Sequence, residues 1–140
     1  MKEADRELLA KKLDSLGEHI LSLAKYRDMK DELIHASAER RLAIERLFEI
    51  AIQAVVDTSR LLVALEGWDA KEDSFMCLAH HGVIDKSLVP RLRKAKDFRN
   101  FLAHDYEKVD PRRVRRHLSK DLIDLQLYAN AMGRWLQKQT

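Results

Sequence analysis

The sequence predicts an all-α fold, an antiparallel (up-down) four-helix bundle with one short extra helix. Four segments repeat apolar residues every three or four positions, and no segment alternates as a strand would. The chain also has only two prolines and four glycines, which suits long helices. We expect a single domain over residues 1–140, because a chain of this length buries a core large enough to fold without disulfides or metals.

A leucine-rich stripe predicts the first helix. Its apolar residues follow spacings of four, three, four and three, namely Leu9, Leu13, Leu16, Ile20 and Leu23. Residues 27–37 lose this period and are expected to form a bend or loop. Ser37 is then a suitable N-cap for the next helix.

The longest apolar pattern predicts a helix from Ala38 to Glu66, stopped by Gly67. At 1.5 Å per residue it spans about 43 Å. Its apolar surface is wider than one stripe, so we expect it to be central or partly buried against a second subunit. A polar row runs along it at four-residue spacing, and a solvent-facing edge is favoured over functional carboxylates there: Glu45, Glu49, Gln53 and Asp57.

A short third helix is predicted next, with Asp69 and Glu72 as its capping pair. Cys77, His80 and His81 share a face of it, but no further ligand pair follows at zinc-site spacing, so we predict no metal site. Ser87 and Asp110 are expected to cap the last two helices, since Pro90 and Pro111 then fall in first turns. Apolar stripes run along both helices, over residues 88–102 and 114–136.

Bulk composition limits the location of the protein. A single cysteine excludes an internal disulfide and fits a reducing compartment. No apolar run reaches the ~20 residues of a membrane span, and the charged N-terminus lacks the apolar core of a signal peptide. We therefore expect a soluble cytoplasmic protein without membrane contact.

Charge is unevenly distributed along the chain. Residues 86–120 carry twelve Lys/Arg against four Asp/Glu, a net charge of +8, so the remainder of this +3 protein carries −5. A basic half on an acidic body is typical of a protein with a polyanionic partner, although a solvated, salt-bridged face has the same composition. Four arginines fall in the first turns of the last helix, where they oppose the helix dipole and a bound anion would explain them: Arg112, Arg113, Arg115 and Arg116.

The chemistry-bearing side chains are concentrated in residues 99–106, RNFLAHDY. On a continuous helix Asn100 and His104 share a face, whereas Arg99 and His104 lie about 140° apart. An arginine and an imidazole that point apart cannot contact the same phosphate. Either the helix ends before His104, or a second subunit completes the site across a two-fold axis, which predicts a homodimer.

These residue types suit the cleavage of RNA without a metal or other cofactor. Histidine is the usual general acid/base near neutral pH, and arginine binds phosphate through paired donors. The 2′-hydroxyl would be the internal nucleophile, which selects RNA over DNA. Structural roles stay open, since a histidine at a helix end is often a cap and Arg99 has Asp97 and Asp105 as ion-pair candidates.

The RNFLAHDY stretch resembles the signature of the HEPN superfamily, an Arg, a polar residue, and a His after a gap of four to six. The Tyr two residues beyond the His resembles the HepT-type toxins more narrowly. The segment ERRLAIERLFEIAIQAVVDTSRLLVALEGW is similar to the long second helix of that family, and FMCLAHHGVIDKSLVPRLRKAKDFRNFLAHDY to the segment after it. Asp105 stands where many relatives carry Glu, at a position that the motif leaves free.

The resemblance implies a ribonuclease toxin of a type VII-like toxin–antitoxin system, an all-α homodimer with a composite active site. Arg99 and His104 would be the catalytic pair, helped by Asn100. Tyr106 matches the tyrosine onto which a cognate minimal nucleotidyltransferase antitoxin, MntA, transfers AMP. A larger hetero-oligomer with that antitoxin is also compatible with the resemblance. We expect RNA phosphates to contact the basic residues around the motif, namely Lys96, Arg112, Arg113, Arg115 and Arg116.

Two other functions fit the same residues. HEPN-like bundles also serve as non-catalytic partners of nucleotidyltransferases, holding nucleotide or RNA in the same cationic pocket. Retention of both Arg99 and His104 favours the enzyme. The third possible function is that of a basic helical scaffold that binds nucleic acid non-specifically. Its affinity would fall steeply with salt and would not change in His104→Ala.

Overall fold

The computed structural model of the protein describes residues 1–69, 71–105 and 110–139, with the side chains of His104, Asp105 and Pro111 outside that description. Within those ranges every regular element is a helix and none is a strand, which confirms the all-α prediction. The six helices are α1 (Glu3–Arg27), α2 (Asp31–His35), α3 (Ala38–Glu66), α4 (Ser74–His80), α5 (Leu88–Asp105) and α6 (Pro111–Gln137). None of these described helices is long and apolar enough to cross a membrane.

Helices α3 and α6 begin, and α3 ends, where their caps predict. The Ser37 hydroxyl accepts a hydrogen bond from the Arg40 N–H at 3.2 Å, and Gly67 ends α3 with φ 66°. The Asp110 carboxylate accepts from the Arg112 N–H at 2.9 Å at the start of α6. These side chains satisfy N–H groups that have no partner within the helix, so local sequence is enough to fix the boundaries.

Two short elements differ from their predictions. Residues 31–35, expected in a loop, form α2, a single turn whose one buried side chain, Ile34, gives no periodic signal. The cap of α4 is Asp73, which accepts from the Met76 N–H at 2.9 Å, so the prediction of Asp69 was wrong. Burial would raise the pKa of Asp73, but hydrogen bonds from Met76 and Arg93 outweigh it and the pKa is lowered.

Helix α3 occupies the centre of the fold and contacts all five other helices. Contacts of α1 with α3 and α6, and of α5 with the same two helices, surround a common core. The antiparallel arrangement of the helices in the bundle stays a prediction. The buried face of α3 is the one on which Ile44, Phe48 and Val55 lie, while Leu42 is 58% exposed.

A buried polar contact joins α3 to α6 inside this core. The Ser59 hydroxyl donates to the Val55 carbonyl at 2.7 Å and lies 2.8 Å from the Tyr128 hydroxyl, which also donates to that carbonyl at 3.3 Å. Burial raises the pKa of Tyr128, partly offset by the bond to Ser59. Buried hydroxyls that are satisfied in this way fix one packing of two helices rather than a range of them.

Candidate active site

Helix α5 carries the motif without interruption. It continues through Asp105, so Arg99 and His104 lie on one unbroken helix, five residues and about 140° apart. The alternative in which the helix ends before His104 is therefore excluded. The core side of α5 is formed by Leu92, Ala95, Phe98 and Leu102, and Arg99 is half-buried at its edge.

Arg99 lies in a groove between α1, α3 and α5 with a volume of about 470 Å³. Its Nη1 donates to the Asn100 side-chain oxygen at 3.0 Å, so the amide contacts the guanidinium as a helper residue would. Its Nε is buried and has no hydrogen-bond partner among the described residues. An N–H group buried in that way is costly unless an acceptor approaches, and a phosphate or carboxylate oxygen in the groove would supply one. We call this cavity the Arg99 groove.

The wall opposite Arg99 comes from residues that the sequence did not connect with it. Helix α1 contributes Lys12, Ser15 and His19, and α3 contributes Arg46, Glu49, Ile50, Gln53, Ala54, Asp57 and Thr58. Three members of the polar row on α3, expected to face solvent, therefore border the groove. Burial raises the pKa of its fourth member, Glu45, and Glu49 adds to that effect against Arg41.

Local contacts occupy the acidic side chains of the Arg99 groove. Arg46 forms an ion pair with Glu49 at 3.1 Å, and the Gln53 amide donates to Asp57 at 2.7 Å. Within the described residues no carboxylate forms an ion pair with Lys12 or Arg99, and His19 also lines the groove. The groove therefore offers two free cations and an imidazole to an anionic ligand.

The five predicted phosphate contacts lie on different surfaces. Arg115 forms an ion pair with Asp31 at 3.2 Å and donates to the Tyr26 carbonyl, while Arg113 stacks over the Phe101 ring at 4.2 Å. Contacts within the protein thus account for two of the four arginines that a bound anion was expected to explain. The other three predicted residues diverge: Arg112 is exposed, Arg116 lines a cleft between α5 and α6, and Lys96 borders a pocket beside α3 and α4.

The remaining site residues suggested by the sequence either contact other side chains or lie outside the described residues. His80 lies 2.6 Å from Glu72, and His81 stacks on Trp68 with ring centroids 3.9 Å apart. Across the described part of the chain, no three His, Cys, Asp or Glu side chains form a group that could hold a metal ion. Tyr106 and the His104 side chain lie outside the described residues.

An all-helical domain with an Arg–x4–His motif on its fifth helix defines the class of protein, a HEPN-type domain. Residues 16–132 match the family described as ribonuclease HepT-like, so the chain belongs to that family and the resemblance noted in the sequence is confirmed. The chain is also 24% identical over 132 residues to a protein named tRNA nuclease HepT from Aphanizomenon flos-aquae (strain 2012/KM1/D3). That match covers 92% of this chain and 90% of the relative.

Proposed function

We propose that the protein is an endoribonuclease toxin that cleaves tRNA, with Arg99 and His104 as its catalytic pair and Asn100 as the residue that positions Arg99. Membership of a ribonuclease family supports the reaction class, and the name of the relative suggests the substrate. The observation that carries the site is the buried Nε of Arg99, which borders a groove and has no partner in the described part of the chain. A guanidinium in that state is ready to donate a hydrogen bond to a phosphate oxygen.

The proposed reaction is an internal transfer that needs no metal. His104 accepts the proton of the 2′-hydroxyl while the 2′-oxygen forms a bond to phosphorus. The bond from phosphorus to the 5′-oxygen breaks, and an imidazolium donates the proton that this oxygen needs. The products are a 2′,3′-cyclic phosphate and a 5′-hydroxyl, and Arg99 stabilises the charge that develops on the phosphoryl oxygens.

The geometry of α5 supports the proposal of a composite site in a homodimer. Arg99 and His104 occupy positions about 140° apart on a continuous helix, so we propose that each works with the other residue of a partner protomer. A two-fold axis through α5 would bring Arg99 of one protomer to His104 of its partner and generate two identical sites.

We further propose that a nucleotidyltransferase antitoxin of the MntA type inhibits the protein through Tyr106. The phenol oxygen attacks the α-phosphorus of ATP, AMP is transferred to it and pyrophosphate leaves. The attached nucleotide would place a phosphate two residues from His104, where it competes for Arg99 and obstructs RNA. This arrangement corresponds to a type VII-like toxin–antitoxin system.

Induced expression in a bacterial host tests the enzymatic proposal. The wild type should arrest growth and cleave tRNA on a gel, and His104→Ala and Arg99→Ala should do neither, with rates at least 10²-fold lower in vitro. The exposed residues His35 and Arg134 provide matched controls as His35→Ala and Arg134→Ala. Intact tRNA with the wild type would favour the non-catalytic partner subunit, and cleavage by His104→Ala would mean that the base lies elsewhere.

The regulatory proposal has a separate test. Tyr106→Phe should cleave tRNA at the wild-type rate, because the phenol takes no part in the reaction, but it should resist neutralisation by the co-expressed nucleotidyltransferase. Mass spectrometry should find an added AMP on the wild type alone. Neutralisation of the Phe variant with AMP attached to it would refute the assignment of Tyr106.

A further inference from the structure

A second basic cavity lies between α5 and α6, with a volume of about 480 Å³. Arg91 and Lys94 contribute cations from α5, and Arg116 and Lys120 contribute them from α6. Two carboxylates, Asp121 and Asp124, also line it, which leaves a net charge of +2 from these six residues. We call this cavity the α5–α6 cleft.

The cleft contains an imidazole that is fixed on two sides. The His117 ring stacks on buried Phe98 with centroids 3.7 Å apart and planes 5° apart. Its Nδ1 lies 2.9 Å from the Asp121 carboxylate, which is only 5% exposed. With an N–H at Nδ1 donated to that carboxylate, Nε2 is the nitrogen left for a ligand.

The two carboxylates of the cleft serve to hold other side chains in place. Asp124, also 5% exposed, pairs with Arg91 at 3.0 Å. Burial raises the pKa of Asp124, Arg91 opposes that effect and Asp121 adds to it. No carboxylate among the described residues pairs with Lys94, Arg116 or Lys120, so three cations remain for a ligand from outside.

The cleft and the Arg99 groove lie on opposite edges of α5. Lys94 and Arg99 are five residues apart, which is about 140° around the helix and about 7.5 Å along it. A ligand must be larger than a nucleotide to reach both cavities, since the helix stands between them. A polyanion with repeating phosphates meets that condition, and phosphate is the ligand that lysine, arginine and imidazole share.

We propose that the α5–α6 cleft binds the phosphate backbone of the RNA substrate at a second site, away from the bond that is cleaved. The inference rests on the proposed ribonuclease function and adds Lys94, His117 and Lys120 to the residues that contact RNA. The second contact favours a folded RNA, such as tRNA, over a short single strand. Binding energy gained there improves affinity without entering the chemical step.

Salt-dependent binding tests the cleft. Fluorescence anisotropy of labelled tRNA is measured in the His104→Ala background for Lys94→Gln/Lys120→Gln and for the control pair Lys2→Gln/Lys138→Gln. The control removes the same charge from exposed residues at chain ends, with Lys138 about 27 Å along α6 from Lys120. The cleft pair should lower the slope of log affinity against log salt by about 1.4–1.8 and weaken binding about 10-fold near 0.1 M salt. The control should change binding by less than about 2-fold.

A second variant tests the same cleft in the opposite direction. Asp124→Asn keeps the side-chain shape, removes one negative charge and releases Arg91 from its ion pair. It should therefore tighten tRNA binding, on the order of 3-fold at low salt. Weaker binding by a folded Asp124→Asn protein would contradict the proposal.

The outcomes separate this inference from the proposed function. If the wild type cleaves tRNA but the cleft pair binds it as tightly as the control pair, the cleft proposal fails and the ribonuclease stands. If the wild type does not cleave but the cleft pair still loses tRNA binding, the cleft stands and the ribonuclease fails. Unchanged tRNA binding together with loss of nucleotidyltransferase binding would overturn the proposal in favour of an acidic protein partner.

Discussion

Arg99 has two properties that usually lower the stability of a folded protein. Its guanidinium is half-buried, and its Nε is buried with no acceptor from any residue that the structure describes. Leaving a buried donor unsatisfied costs about 1–3 kcal/mol, more for a charged group. Unsatisfied buried donors are typical of binding sites, because a ligand supplies the missing acceptor when it binds. The free protein is less stable as a result.

Replacing Arg99 by methionine should separate stability from activity. Arg99→Met keeps most of the apolar stem but removes the unsatisfied donor, so the free energy of unfolding should rise by about 1 kcal/mol. Cleavage of tRNA should be lost at the same time. Urea unfolding measures the first effect, with exposed Arg134→Met as a control that should leave stability within about 0.5 kcal/mol of wild type. A destabilised Arg99→Met protein would mean that Arg99 serves the fold.

At the scale of helices, the sequence predicts the helix boundaries that are determined by residues close together in the chain. Ser37, Gly67 and Asp110 fix the ends of α3 and the start of α6, because a cap acts on N–H or C=O groups within a few residues. The cap of α4 was misplaced by four residues because both Asp69 and Asp73 precede the helix, and only the fold gives Asp73 its bond from Arg93. Helix α2 was missed because one turn is too short to show a period.

Two glycines provide a matched test of these helix signals. Gly67 ends α3 with φ 66°, a conformation that costs an L-residue about 1 kcal/mol, so Gly67→Ala should lower the free energy of unfolding by about that amount. Gly17 lies within α1 with open space around an added Cβ, so Gly17→Ala should raise it by about 0.5–1 kcal/mol. Thermal and urea unfolding give both values. Equal effects of the two substitutions would show that helix termination at Gly67 does not need a positive φ.

At the scale of the whole molecule, the sequence identified one wall of the site and missed the other. Arg99 and Asn100 stand out because they are adjacent within a motif. Lys12 and His19 are about eighty residues earlier and reach the Arg99 groove only because α1 and α5 both pack on α3. Helical periodicity predicts which face of a helix is buried, but not which distant helix borders its edge. The α5–α6 cleft was missed for the same reason, since His117 and Lys94 belong to different helices.

The geometry of α5 also leads to a prediction about the dimer, in which two protomers would share each active site. Arg99→Ala and His104→Ala should each be inactive alone. In a mixed dimer, one composite site combines the intact Arg99 of one protomer with the intact His104 of the other, while the second site carries both substitutions. Equal amounts of the two proteins, allowed to exchange subunits, form mixed dimers half of the time, so about a quarter of wild-type tRNA cleavage should return. If both residues act within one protomer, the mixture stays inactive however long subunits exchange. The measurement therefore distinguishes a site shared across a two-fold axis from one built on a single copy of α5, where about 140° separates the two residues.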